Sequence, residues 1–303
     1  MAIRHFEDLV RISPTLRNAL AGAEQAARTH SPILILGEPG TGRSTLARTF
    51  HHASPRHQGP LAEVDPAAVP STLFESEFFG YRAGAFTGAE TSEEGRIALA
   101  EGGTLVLDHI EELPLLVQPK LLGLLAEQRY TPLGGREKTS DLRFIAIGSE
   151  DLGLRIQHGL FRPDLYYRLE VLAFRLPPLR DRLGDLPSIA QHLMEDLSDR
   201  QRRFTPRLSE RALEWMMAYA WPGNLRQLRN VLERALVVLE SPVLDPDPPA
   251  DALAAIPRSL REAEEEAIRE ALAYTRGHQG QAAELLGISR KALWEKRKRL
   301  GIP

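Results

Sequence analysis

The stretch from Ile33 to Ser44 restricts the possible folds more than any other part of this chain. An apolar run, residues 33–36, leads directly into a glycine-rich octapeptide, namely Gly37-Glu38-Pro39-Gly40-Thr41-Gly42-Arg43-Ser44. Such an order is typical of a strand, a tight turn and the start of a helix, where backbone N–H groups surround phosphates and a hydroxyl such as that of Ser44 reaches Mg²⁺. We therefore predict an α/β fold with a nucleotide site at residues 37–44.

Arg43 occupies the position at which this loop pattern requires a lysine. A lysine is a compact charge on a thin stem, whereas a guanidinium is planar, wider and suited to two-pronged contacts. The exchange is therefore not conservative. We expect nucleotide binding to tolerate Arg43 better than phosphoryl transfer does.

Further apolar runs predict a parallel sheet with helices on both faces. The candidate strands are residues 61–64, 105–107 and 144–147, with helical stretches between them. In that architecture ligands sit beyond the carboxyl ends of the strands. Asp108 directly follows one strand and is thus a candidate Mg²⁺ ligand, directly or through water, opposite Ser44. ATP and Mg²⁺ are the expected cofactors.

Composition restricts the class of protein further. At 303 residues the chain is long enough for two or three domains. It holds no cysteine, so disulfides and thiolate chemistry are excluded. It has no apolar run of about eighteen residues and no signal-peptide pattern, so we expect no membrane contact and a cytoplasmic location. The formal net charge of −3 means that any nucleic-acid contact must be local.

A change in composition separates the last part of the chain from the rest. Residues 241–258 are rich in proline, aspartate and alanine, which is typical of a linker. Helical periodicity with a stripe of leucine and methionine precedes them. The predicted segments are a nucleotide-binding core at 1–172, an all-helical lid at 173–240, the linker at 241–258 and a DNA-binding domain at 259–303.

The predicted DNA-binding domain has the helix signals of a helix-turn-helix. Ser259 and Glu262 form a capping box that opens a helix, residues 281–286 form a short second helix, and Ser289 caps a third that Gly301 closes. The third helix would enter the major groove of double-stranded DNA. We place Ser289, Arg290, Lys291 and Trp294 near bases and Arg297, Lys298 and Arg299 on phosphates. Trp294 is equally compatible with a core position.

Residues 75–89 carry a resemblance to a known family. Six of them read Gly84-Ala85-Phe86-Thr87-Gly88-Ala89. This hexapeptide and its flanks resemble the sigma-54-dependent activators, the NtrC-type branch of the AAA+ ATPases, and the resemblance implies that the six residues contact sigma-54 RNA polymerase. Two glycines around Phe86 and Thr87 favour a mobile tip that exposes a ring and a hydroxyl. The alternative is a buried turn around Phe86.

The resemblance extends from about Phe6 to the C-terminus and implies further roles. Arg162 and Arg168 match the family's arginine-finger segment, which reaches the nucleotide of a neighbouring subunit in a homo-oligomeric ring. Arg226 matches the second sensor, in the lid over the nucleotide. The last domain resembles the Fis-type domain, which is usually dimeric on palindromic sites.

Four positions depart from the family's catalytic pattern. Arg43 replaces a lysine, His109 a glutamate that activates the attacking water, Asp65 the asparagine that holds that glutamate, and Ser149 the usual first-sensor residue. One interpretation is loss of hydrolysis, because losing such a base commonly costs roughly two to four orders of magnitude in rate. The other is compensation, in which Asp65 orients His109 as a replacement base.

Several functions therefore stay open. The chain is either a sigma-54-dependent regulator that binds ATP and specific DNA, or a hydrolysis-deficient DNA-bound regulator, including the partner of an active paralogue in a mixed ring. A regulator independent of sigma-54 is a third alternative, and the intact residues 84–89 speak against it. Because the core is predicted to begin close to Met1, no built-in sensory domain is expected, and control by a partner protein is our hypothesis.

Overall fold

A computed structural model of the protein describes residues 3, 5–239, 241–249, 268–269, 271–272, 275 and 278–300, without the side chains of residues 284, 299 and 300. The chain forms two compact units, Met1–Pro248 and Pro249–Pro303. The capping box predicted at Ser259 and Glu262, the helix end predicted at Gly301 and the linker beyond residue 249 lie outside the described residues.

The first unit begins with strands and helices in alternation. Its elements up to the end of the main sheet are α1 (Phe6–Ile12), α2 (Leu16–Ala19), α3 (Ala23–Ala27), β1 (Ile33–Gly37), α4 (Arg43–His52), β2 (Leu61–Val64), α5 (Ser71–Phe79), β3 (Gly80–Tyr81), β4 (Glu93–Glu94), α6 (Arg96–Leu99), β5 (Thr104–Leu107), α7 (Gln118–Glu127), β6 (Arg129–Tyr130), β7 (Lys138–Thr139), β8 (Arg143–Gly148), α8 (Leu152–Gln157), α9 (Pro163–Leu169) and β9 (Leu172–Leu176). Short 3-10 turns at Pro66–Ala68 and Ile110–Glu112 follow β2 and β5.

Five strands form a parallel sheet in the order β2-β5-β8-β1-β9. The predicted parallel α/β fold is confirmed. β9 was not among the predicted strands; it lies at the sheet edge, and its residues alternate between buried and more exposed positions. Since parallel neighbours end at the same edge, Gly37, Leu107 and Gly148 bring the residues that follow them to one side of the molecule.

Apolar side chains on both faces of the sheet build two cores. Leu34 of β1 packs in one cluster with Phe78, and its neighbour Ile35 packs in the other with Phe50. Because successive side chains of a strand point to opposite faces, β1 is buried along its whole length. Each such buried side chain stabilises the fold by about 1.5–3 kcal/mol. The glycine-rich turn after β1 therefore starts from a rigid strand.

The remainder of the first unit is mainly helical. Its elements are a 3-10 stretch at Leu179–Asp185, then α10 (Leu186–Gln201), β10 (Arg207–Leu208), α11 (Glu210–Ala218), α12 (Asn224–Val237) and β11 (Val243–Leu244). Ser209 caps α11, since its Oγ accepts from Ala212 N at 3.0 Å. The lid, which was predicted to be all-helical, also contains one short pair of parallel strands, β10 and β11. Trp221 is fully buried and packs against Trp215, so both rings contribute to the packing of this part of the chain.

The described part of the second unit contains α13 (Gln279–Leu285) and α14 (Arg290–Leu300). Gly287 adopts φ +66° in the turn between them. Ala282 and Leu293 are buried there with Ile268. This pair of helices confirms the predicted helix-turn-helix. Among the residues that the structure describes, no helix is long and apolar enough to cross a membrane.

Candidate functional site

The glycine-rich turn lies between the end of β1 and the start of α4, beside a cavity of about 510 Å³. Gly40 has φ +82°, and a Cβ at this position would lie 2.5 Å from Gly223 O. Only glycine allows this approach between the turn and the lid. The cavity is lined by residues of the turn, the sheet edge and the lid, including Gly40, Thr41, Gly42, Arg43, Ser44, Asp108, His109, Arg182 and Arg226.

Ser44 and Asp108 meet at the sheet edge, as the predicted metal site requires. Ser44 Oγ donates a hydrogen bond to Asp108 Oδ2 at 3.2 Å. Both groups offer oxygen, the donor that Mg²⁺ prefers, and Mg²⁺ usually completes its shell with phosphate oxygens and waters. These two residues therefore fit a magnesium ion held together with a nucleotide.

The guanidinium of Arg43 lies beneath the turn. Its Nη1 donates to Gly37 O at 2.9 Å and to Gly148 O at 2.6 Å, and the residue is 6% exposed. Arg43 thus joins the ends of β1 and β8. Both hydrogen bonds come from a single nitrogen of the guanidinium. The charge at this position is engaged by backbone oxygens of the sheet.

His109 and Asp65 form a pair beside Asp108. His109 Nδ1 lies 3.0 Å from Asp65 Oδ1, and the His109 backbone N–H donates to Asp108 Oδ1 at 2.9 Å. Asp65 Oδ1 also accepts from Ala67 N at 2.9 Å, which fixes the carboxylate. His109 adopts φ +48°, a conformation that is uncommon outside glycine and that concentrates at functional sites. The ring is therefore oriented by a carboxylate at the mouth of the cavity.

A buried carboxylate lies behind Ser149, a contact that the sequence interpretation missed. Glu111 is 8% exposed, and its Oε2 accepts from Ser149 N at 3.2 Å. Arg155 Nη1 donates to the backbone oxygen of Glu111 at 3.1 Å. The only sequence signal was an acidic pair, Glu111 and Glu112, directly after a strand end. Ser149 is thereby held through its backbone, while Glu111 occupies the interior.

The lid closes directly on the turn. Leu225 N donates to Gly40 O at 2.9 Å, and Asn224 Nδ2 donates to Pro39 O at 3.1 Å. Glu38 pairs with Arg180 at 2.6 Å and also accepts from Asn224. The hydrogen bond from Arg180, followed by that from Asn224, lowers the pKa of Glu38 below its ordinary value. The side chain of Glu38, a predicted nucleotide ligand, is thus used to hold the lid.

Arg182 is a second buried cation that sequence reasoning missed. It is 3% exposed, and its Nη2 donates to Thr41 O at 2.8 Å. Burial lowers the pKa of Arg182 to about 10. Its Nη1 lies 3.4 Å from Ser13 Oγ, which itself donates to Asp185 Oδ2 at 2.5 Å. This network ties the segment after α1, the turn and the lid together around the cavity.

Arg162 and Arg168 lie apart from the cavity residues. Arg162 precedes α9 and pairs with Asp164 at 2.7 Å. Arg168 Nη2 donates to Leu125 O at 2.9 Å. Neither arginine lines the cavity that holds Ser44 and Asp108. Their predicted role toward a nucleotide in another subunit stays a prediction.

Residues 84–89 form a closed, protruding loop. Gly84 N donates to Ala89 O at 2.8 Å across its base, and Gly84 and Gly88 adopt φ +82° and +99°. Phe86 at the tip is 43% exposed and its ring centroid lies 5.0 Å from that of Tyr81. The alternative of a buried turn around Phe86 does not fit this exposure.

The predicted DNA-contacting residues divide into several groups on α14. Arg290, Lys291, Trp294 and Lys298 are exposed, and Arg297 is half-buried. Ser289 Oγ accepts from Ala292 N at 3.1 Å, so this hydroxyl caps the helix. The side chain of Arg299 lies outside the described residues. The exposed cations therefore cluster on the outward face of the helix.

A five-stranded parallel sheet, a glycine-rich turn and a helical lid define a nucleotide-binding fold of the AAA+ type, here joined to a helix-turn-helix. Three family models match the chain: the Sigma-54 interaction domain at residues 9–175, the AAA+ ATPase lid domain at 180–269 and the bacterial regulatory proteins of the Fis family at 259–300. The chain therefore belongs to the family of sigma-54-dependent transcriptional activators.

Individual relatives agree with this membership. The chain is 38% identical over 308 residues to the Regulatory protein AtoC of Escherichia coli (strain K12), covering 96% of this chain and 67% of that protein. It is 38% identical over 319 residues to the DNA-binding transcriptional regulator NtrC of Rhizobium meliloti (strain 1021), covering 91% and 66%. The chain thus spans about two thirds of the length of these relatives.

Solved structures show the same architecture. NtrX from Brucella abortus in complex with ADP matches with a TM-score of 0.76 at 30% identity, covering 95% of this chain and 69% of that one. NtrX in complex with ATP matches with a TM-score of 0.75, also at 30% identity, covering 95% and 68%. The fold and the family assignment therefore rest on both sequence and structure.

Proposed function

We propose that this chain is a regulator of sigma-54 promoters that binds ATP with Mg²⁺, binds specific DNA and contacts the polymerase through residues 84–89. The hydrogen bond between Ser44 Oγ and Asp108 Oδ2, beside the glycine-rich turn, is the observation that supports the proposed nucleotide binding. It supplies two oxygen ligands in the place where a metal bridging to phosphates is needed. Arg226, on the cavity wall, would add positive charge from the lid.

Mg²⁺-dependent binding of ATP tests this site. With a fluorescent ATP analogue, Mg²⁺ should strengthen binding to the unaltered chain, and Ser44→Ala or Asp108→Asn should remove most of that gain. Ser76→Ala is a matched control, because the Ser76 hydroxyl only donates to Leu73 O on the exposed side of α5. Equal dependence on Mg²⁺ in all four proteins would contradict the site.

The exposed tip of residues 84–89 supports a contact with the sigma-54 polymerase. A loop that exposes Phe86 between two glycines with positive φ offers an apolar anchor on a backbone that can move. Thr87→Ala should therefore abolish the promoter response while leaving ATP binding unchanged. Thr139→Ala, at an exposed position on β7, should have no effect. A full promoter response in Thr87→Ala would contradict the contact.

A hydrolysis-deficient regulator is the second candidate, and Arg43 favours it. Its guanidinium donates hydrogen bonds to Gly37 O and Gly148 O. The positive charge that a phosphate loop normally directs at the nucleotide therefore lies beneath the turn instead. His109 also replaces the expected glutamate. A chain that binds ATP without cleaving it would use nucleotide for assembly, or would serve as the partner of an active paralogue in a mixed ring.

The pair of His109 and Asp65 instead favours compensation, in which His109 replaces the missing base and hydrolysis is retained. A ring held at 3.0 Å by a carboxylate has the arrangement of an oriented base. The two candidates separate in an ATPase assay: with compensation, Asp65→Asn lowers a measurable rate by roughly 100-fold or more. Without hydrolysis, the unaltered chain and Asp65→Asn are equally inactive although both bind ATP.

DNA binding is proposed for the exposed cations of α14. Arg290, Lys291 and Lys298 lie on the outward face of a helix that follows a short turn, the arrangement that places a helix in the major groove. Binding should weaken steeply with salt, because each neutralised phosphate releases counterions. Lys298→Ala should reduce this salt dependence, measured by fluorescence anisotropy. An unchanged slope would contradict a phosphate contact at Lys298.

A further inference from the structure

Trp294 is an exposed aromatic residue on the last helix of the second unit. Its side chain is 55% exposed, whereas Leu293, one position earlier, is 1% exposed and packs with Ala282. Tryptophan is highly buried on average, and it contributes strongly where it is covered by a partner. α14 thus buries the side chain of Leu293 and exposes that of Trp294.

Two exposed cations lie on the same helix face as this ring. Arg290, Trp294 and Lys298 are spaced by four residues, so they lie one above the other on α14, and both cations are exposed. Lys298 Nζ lies 5.3 Å from the centroid of the Trp294 ring, a distance at which a cation is attracted to a π-face and restricts the ring. One cation therefore contacts the exposed ring, and a second exposed cation lies on the same face of α14.

This pattern matches the major groove of DNA better than it matches a protein surface. Phosphates line both rims of the groove, where cations bind, and base edges form its floor. Only thymine presents a methyl group there. An exposed aromatic ring beside a cation has an apolar surface that can cover this methyl group, and its N–H can only donate a hydrogen bond.

We propose that Trp294 reads a thymine in each half of the DNA site by packing against its 5-methyl group. The inference deepens the proposed DNA binding and rests on it. Trp294 then determines specificity at one base position, while Arg290 and Lys298 support affinity. Removing the methyl group should cost about four-fold in affinity, the size expected for one buried methyl group.

Replacing thymine by deoxyuridine tests the inference, because it removes only the methyl group. The full chain first selects its site from a library of random duplexes, and each thymine of that site is then exchanged for deoxyuridine in turn. The unaltered chain should lose about four-fold in affinity at one thymine per half-site. Trp294→Ala should bind the thymine and deoxyuridine duplexes equally well.

Leu285→Ala is the matched control. Leu285 is 60% exposed on the preceding helix α13, so its removal deletes exposed apolar surface without touching α14, and the four-fold discrimination should remain. The inference is overturned if the unaltered chain binds equally well after each thymine is exchanged for deoxyuridine. It is also overturned if Trp294→Ala still discriminates between thymine and deoxyuridine. A chain that enriches no duplex contradicts DNA binding itself and the inference with it.

Discussion

At the scale of single residues, Arg43 couples the phosphate-binding turn to the sheet beneath it. Two backbone carbonyls, Gly37 O and Gly148 O, accept hydrogen bonds from one Nη1 atom. Both oxygens belong to residues that end buried strands. The residue that departs from the loop pattern therefore contributes to the stability of the fold as well as to the charge of the site.

We expect Arg43→Met to destabilise the protein by about 2–4 kcal/mol, because it leaves these buried oxygens without a donor. Denaturant unfolding of the whole chain measures this loss. Arg48→Met is the control, since Arg48 pairs with Glu63 while 53% exposed, and such surface pairs contribute less than about 1 kcal/mol. A similar loss in both variants would show that the carbonyl contacts of Arg43 are unimportant.

A second prediction at this scale concerns the positions that depart from the family's catalytic pattern. If hydrolysis is lost through Arg43, His109 and Asp65, the triple variant Arg43→Lys, His109→Glu and Asp65→Asn should raise the ATPase rate, since it restores an ammonium and a carboxylate base. Steady-state phosphate release measures the rate. Asp108→Asn added to the triple variant should abolish the gain. An unchanged rate in the triple variant would refute this account.

Four residues show which parts of the candidate site can be predicted from the sequence and which cannot. Ser44 and Asp108 were found because a motif and a strand end place them. Arg182 and Glu111 were missed, because their importance comes from burial beside Thr41 O and Ser149 N. Charged residues are normally exposed, so no pattern in a single sequence marks the few that tertiary packing buries.

At the scale of elements, the glycines of the turn and of residues 84–89 offer a matched comparison. Gly40 and Gly84 share φ +82°, so alanine costs both the same backbone strain, about 1–2 kcal/mol. Only at Gly40 does the new Cβ clash, 2.5 Å from Gly223 O in the lid. Gly40→Ala should therefore lose more unfolding free energy than Gly84→Ala and also weaken ATP binding. Equal effects on both measurements would contradict the close contact between lid and turn.

The contact of Glu38 with the lid should depend on pH. Arg180 lowers the pKa of Glu38 from 4.5, so the contact stabilises the fold fully above the unfolded pKa and loses its effect as the pH falls through the folded one. Screening limits this contribution to less than about 1 kcal/mol. The free energies of unfolding of the unaltered chain and of Glu38→Gln should therefore converge as the pH falls from 4.5 through the lowered pKa of Glu38. Glu127→Gln, at an exposed position, should not change the pH dependence.

The elements themselves were largely readable from the sequence. Continuous apolar runs marked β1, β5 and β8, because strands buried on both faces need no polar positions. β2 was predicted from a shorter stretch that Glu63 interrupts. β9 was missed although residues 171–174 are apolar. The pair β10 with β11 joins residues far apart in the chain, which no local signal shows.

At the scale of the whole molecule, the two predicted arginine fingers concern contacts between subunits. Arg162 and Arg168 lie away from the cavity and make contacts with Asp164 and Leu125 O within the chain. An arginine that stabilises phosphoryl transfer acts at the nucleotide. If these two arginines have that role, the nucleotide must belong to a neighbouring subunit.

A mixed assembly tests that role separately from hydrolysis by this chain. An active sigma-54 activator whose own arginine finger is replaced by alanine should regain ATPase activity when this chain is added, because Arg162 then reaches its nucleotide. Arg162→Ala should fail to restore the rate, whereas Arg175→Ala should restore it. Arg175 is also an exposed arginine, lies on β9 and pairs with Glu170 at 3.8 Å. Restoration by Arg162→Ala would exclude Arg162 as the finger, and no restoration by the unaltered chain would count against a mixed ring.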